Sequence, residues 1–139
     1  MGGRGSFVDV KGGNFDFVDG GQKYFAIGYD KENNIKYLIQ PTGSVKVPDY
    51  SHTGERIYVI IQDGEVKSIG IYENHVKVKS IDLKHTHTNK DGTKLKEHYH
   101  SDLYHQGDAH PLSQEDLELV ERVKKGAKKY IWEKMNMIL

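Results

Sequence analysis

Six of the eight histidines in this chain fall between His85 and His110. Four of them form two H-x-H pairs, His85–Thr86–His87 and His98–Tyr99–His100. Imidazole is the commonest side-chain metal ligand and the commonest general acid or base near neutral pH, so such a run is where chemistry would sit. Asn89, Lys90, Asp91, Gly92 and Thr93 lie between the pairs as a turn signal. A two-residue turn at Asp91–Gly92 would pair His87 with Lys96 and His85 with His98. Strand side chains alternate with period two, so all four histidines would share one face. Directly opposed Cβ atoms are about 4.5–5.5 Å apart, close enough for three imidazoles to reach one ion at roughly 2.0–2.1 Å. The arrangement depends on register, because a one-residue slip turns one pair to the other face.

Asp102, His105, Asp108 and His110 follow as further ligands or bases, with Asp102 and His105 the candidate catalytic groups, and Asp82 precedes the first pair. A shell of nitrogens, with or without a carboxylate, suits zinc or another first-row divalent ion. Three protein ligands and an open position would activate water, whereas four would serve structure. Two other readings stand beside the metal. The histidines are solvated or hydrogen-bonded residues of a polar face, or two of them with a lysine cleave RNA without metal.

Known signatures narrow the field. H-x-H-x-D-H fails because Asn89 and Lys90 stand where Asp and His are required. The cupin pattern fails because Asp91 is the nearest acid and the upstream glycine is missing. A two-histidine, one-carboxylate iron triad is not singled out by any spacing. H-E-x-x-H, G-x-S-x-G and the P-loop are absent, and no nucleotide cofactor is expected.

The elements that must position the cluster belong to one domain of 139 residues, long enough for a core of its own. With no cysteine, thiolate sites and disulfides are excluded. The formal net charge is zero, which lacks the basic excess of a nonspecific nucleic-acid binder. No apolar stretch approaches the ~18 residues of a membrane span, and residues 1–6 read as a flexible polar terminus rather than a secretory signal.

Residues 7–83 read as a β meander. Candidate strands are Phe7–Val10, Phe15–Phe17, Gln22–Tyr29, Ile35–Gln40 and Gly43–Val47, the last capped by Pro48. Arg56–Gln62 and Glu65–Tyr72 flank Asp63–Gly64, the hairpin signal in which both turn residues need positive φ. Glu73–Asn74 then turns the chain into His75–Leu83, completing a three-stranded antiparallel meander. Val76 and Val78 alternate with Lys77 and Lys79, which predicts a wet face and a place at or near an edge. Nine tyrosines spread over the strands suit sheet faces.

Residues 84–110 form the histidine-rich hairpin or loop, and the period then changes. Ser113 and Asp116 have capping-box spacing, and Leu117, Val120, Val123, Ala127, Tyr130 and Ile131 make one apolar stripe, extended by Trp132. This predicts an amphipathic helix over 113–134, packed on the sheet or docked on a protein partner. The fold class is therefore α+β: a mainly antiparallel sheet (meander, sandwich or partly closed barrel) with one C-terminal helix. The site is expected near the sheet–helix junction.

Gly2–Ser6, the hairpin Ile60–Gly64, and Tyr72–His75 running on to Ile81–His85 resemble small proteins encoded in prophages and mobile elements of Gram-positive bacteria. The resemblance implies a cytoplasmic, phage-related protein encoded near head-assembly or toxin-type genes, and it carries over no catalytic residue. The sequence thus points to a non-enzymatic binding or accessory module with a histidine cluster able to hold a divalent metal. The alternatives are a metal-dependent hydrolase or nuclease and a metal-free ribonuclease-type toxin domain.

Overall fold

The computed structural model describes residues 15–19, 22–101 and 107–138. Phe7–Val10, Asp102 and His105 lie outside them. The described strands are β1 (Phe15–Asp19), β2 (Gln22–Asp30), β3 (Ile35–Ile39), β4 (Arg56–Gln62), β5 (Glu65–Glu73), β6 (Val76–Asp82), β7 (His87–Thr88), β8 (Lys94–Leu95) and β9 (His98–His100). Helix α1 spans Gln114–Ile138. Seven strands form one sheet in the order β1-β2-β3-β4-β5-β6-β9, and β7 and β8 form a separate two-stranded ribbon. The architecture is α+β and mostly antiparallel.

Local signals set most of these elements. Asp63 and Gly64 both take positive φ, 56° and 75°, as a tight hairpin turn requires. The next turn moves one residue from its predicted place, with Asn74 and His75 both at positive φ. At the start of α1, the Asp116 amide donates to Ser113 Oγ (3.1 Å) and the Ser113 amide donates to Asp116 Oδ2 (2.9 Å), a reciprocal cap.

Two departures come from long-range contacts. β3 and β4 pair in parallel, Ile35 with Ile57 through Ile39 with Ile61, so segment 40–55 must cross over the sheet. The predicted strand Gly43–Val47 is instead part of this irregular crossover. Buried Gln40 organises it, its amide nitrogen donating to the carbonyls of Thr42 (3.1 Å) and Ser44 (2.7 Å) while its oxygen accepts from the Lys46 amide (3.0 Å). The hydroxyls of Tyr24 and Tyr72 donate to the carbonyls of Lys46 and Pro48.

The second departure concerns Lys77 and Lys79. Lys77 pairs with Tyr72 and Lys79 with Ile71, leaving Val78 as the extra residue of a bulge. The bulge sends the two lysines to opposite faces. Lys77 is buried, with Nζ 3.7 Å from Asp49 on the crossover, and Lys79 lies 2.5 Å from Asp116 on the helix. The wet lysine face predicted from alternation is therefore replaced by two ion pairs, and Val78 is the exposed residue.

The sheet is covered on both faces. Val120, Val123 and Ala127 of α1 pack on Ile35, Tyr37, Val59, Ile61, Ile69 and Ile81. Tyr24, Leu38, Tyr58, Ile60 and Tyr72 pack with Val47 of the crossover on the other face. Close approach of the helix depends on two glycines: Gly126 sits against the Tyr37 hydroxyl, and Gly28 sits under the Tyr130 ring. Leu117 and Trp132 leave the predicted stripe, being 43% and 64% exposed. Among the described residues no helix is long and apolar enough to cross a membrane.

Candidate metal centre

β9 is the last strand of the main sheet and pairs with the end of β6, Ser80 with His100, Ile81 with Tyr99 and Asp82 with His98. Tyr99 packs toward the helix-side core, as does its partner Ile81. Alternation then places His98 and His100 on the opposite face, together with Ser80 and Asp82. The site thus lies on the crossover face rather than at the expected sheet–helix junction.

The β7–β8 ribbon supplies the third imidazole. His87 pairs with Leu95 and Thr88 with Lys94, one residue away from the register predicted for a two-residue turn. The Asn89 amide donates to the Thr93 carbonyl (2.8 Å) and the Gly92 amide to the Asn89 carbonyl (2.9 Å), with Gly92 at φ 90°. This is a three-residue loop with a left-handed last residue. The Asn89 side chain also exchanges two hydrogen bonds with the Ala109 backbone, at 2.8 and 3.0 Å, tying the ribbon to the segment before the helix.

His87, His98 and His100 each offer a ring nitrogen within 4.8 Å of the other two. Their ring centroids are 5.7 Å (His87–His98), 4.9 Å (His87–His100) and 5.0 Å (His98–His100) apart. His98 and His100 are buried, both ring nitrogens of His100 are enclosed, and His87 is half-buried. His98 Nδ1 is 2.9 Å from the Lys96 carbonyl. A carbonyl only accepts, so Nδ1 carries the proton and Nε2 the lone pair, an orientation typical of a metal-ligating histidine.

The remaining sequence candidates sit apart from this group. His85 is 64% exposed and directs Nδ1 to Asp82 Oδ2 at 3.5 Å. His110 and Asp108 are exposed. His110 exchanges backbone hydrogen bonds with Tyr99 at 2.9 Å, and Asp108 Oδ1 accepts from the Lys90 amide at 3.4 Å. His110 thus anchors its segment to β9, and Asp108 anchors it to the ribbon loop. Asp82, 13% exposed, also has Oδ2 3.9 Å from His98 Nε2. With His85, Gln62, Lys67 and Lys84 it lines a polar cleft of about 270 Å³.

No family model, curated protein or solved structure matches this chain. Three imidazoles converging from two elements, two of them buried, form a donor set for a borderline-soft divalent ion.

Proposed function

We propose that this chain is a non-enzymatic accessory module built around a divalent-metal site, with zinc the best-suited ion. The convergence of His87, His98 and His100 carries the reading. Two of the three rings are buried, and imidazoles gathered inside a fold for solvation alone would have stayed on the surface. An ion there would join the β7–β8 ribbon to the end of the main sheet and add its binding free energy to folding. The phage-related, cytoplasmic setting of the module is carried by the sequence resemblance.

The polar cleft favours a second reading, a metal-dependent hydrolase or nuclease. Lys67 and Lys84 on its wall share Glu65 as an ion-pair partner and leave a net positive charge to meet an anionic substrate, and Asp82 lies between the cleft and His98.

Elemental mass spectrometry on untagged protein, followed by melting with and without EDTA, tests the proposal. Near-stoichiometric zinc, lost together with thermal stability, is expected. Loss of zinc at unchanged stability would shift the assignment to the hydrolase. Absence of metal and of any response to added zinc would overturn both, and RNA cleavage surviving EDTA would then identify a metal-free ribonuclease.

A further inference from the structure

We propose that Asp82 is the fourth protein ligand of the histidine site, completing a shell of three nitrogens and one carboxylate oxygen. The inference rests on the metal reading above and assigns the coordination position that the three histidines leave over.

Register comes first. Asp82 is the direct cross-strand partner of His98, and Ser80 of His100, so β6 brings a carboxylate to the face that carries both histidines. Nε2 of His98, the nitrogen bearing the lone pair, lies 3.9 Å from Asp82 Oδ2. A lone pair and a carboxylate oxygen held together, away from most solvent, repel each other, and a divalent cation between them turns that contact attractive. Two atoms each roughly 2.0–2.1 Å from one tetrahedral ion are about 3.4 Å apart. Asp82 therefore needs to approach His98 by about half an ångström, and because its oxygens lie outside the 4.8 Å group formed by the three rings, reaching the same ion also takes a turn of its side chain toward His87 and His100.

The second oxygen is already oriented, with Asp82 Oδ1 accepting from the Lys84 amide at 3.4 Å. Exposed His85, 3.5 Å from Oδ2, then becomes an outer partner of the ligating carboxylate, not a ligand. Four protein ligands close the shell, which is the pattern of a structural site.

Cobalt(II) titration of the full chain tests this, with D82N as the near-isosteric variant and D82A as a second. Circular dichroism of the metal-free proteins checks that both variants fold. The wild-type visible spectrum is expected to be tetrahedral and unchanged by added thiocyanate. In D82N, affinity should fall on the order of 100-fold, with thiocyanate entering the vacated position and altering the spectrum. Wild-type binding that D82N and D82A leave unchanged in affinity and spectrum would overturn the role of Asp82 while retaining the triad. A thiocyanate-sensitive wild type would also overturn it, since the fourth position would then hold water. No cobalt or zinc binding by the wild type would overturn the metal reading and this inference with it.

Discussion

The His87 and His100 rings meet at a centroid separation of 4.9 Å, although one belongs to the two-stranded ribbon and the other to the main sheet. Ribbon and sheet are thus joined through a contact between two imidazoles of the candidate site. Zinc should stabilise the protein by roughly 4 kcal/mol when free zinc is 1,000-fold above the dissociation constant. H98A and H100A should each abolish this gain, while H85A, which removes only an outer partner of Asp82, should lower it by about 1–3 kcal/mol without abolishing it. Thermal melts across a zinc series check this. The gain should also shrink as pH falls, because protons compete for the ligating nitrogens.

Lys79 and Asp116 provide a test independent of metal. Burial would raise the Asp116 carboxyl, but Lys79 at 2.5 Å and the hydrogen bonds from Ser113 outweigh it and hold the group below its ordinary 3.8. A depressed folded value means that this contribution is complete above the ordinary carboxylate range and is lost as pH falls through the folded value. D116N should therefore cost about 2–3 kcal/mol at neutral pH and converge on the wild type in acid. Urea unfolding at several pH values reads both.

Gly126 tests the seat of the helix. In an exposed helix interior, alanine would gain about 1 kcal/mol over glycine. Here a Cβ would strike the Tyr37 hydroxyl, so G126A should be destabilised by about 1–3 kcal/mol. Adding Y37F should recover part of that loss, whereas Y37F alone should not improve stability. Denaturant midpoints of the three variants decide it.

Tyr37 also sets an alkaline limit. Burial pushes its phenol up from 10.0 to about 12, with smaller contributions from Asp30 and Tyr130. A raised folded value means full stability below pH 10.0, lost as pH climbs toward 12. Y37F should remove the phenolate absorbance that appears near pH 12 and lessen the alkaline loss of stability.

What was legible in the sequence is what short-range chemistry dictates. Asp63–Gly64 fixes a turn through its own backbone preferences, and Ser113 and Asp116 fix a helix start through two hydrogen bonds. The parallel β3–β4 pair was not legible, because its residues meet only across the 40–55 crossover. Nor were the fates of Lys77 and Lys79, since alternation assumes an unbroken ladder and Val78 interrupts it. In the histidine region the residue types were visible but the elements were not. Spacing alone puts the four residues on one hairpin, whereas His98 and His100 belong to the main sheet and His85 points to Asp82. The proximity of Asp82 to His98 follows from a cross-strand register that the letters do not specify.

The parallel seam between β3 and β4 has a consequence for the order of assembly. β2–β3 and β4–β5–β6 are joined internally by short turns, so each can zip up from its own turn with little loop-closure entropy. The seam between these two units cannot zip in this way. It forms only when the whole 40–55 segment has folded back and Gln40 has gathered its carbonyls. This topology predicts that the two units form quickly and that their docking sets the pace of folding, with the inward edges of β3 and β4 open to pairing with another molecule until they dock.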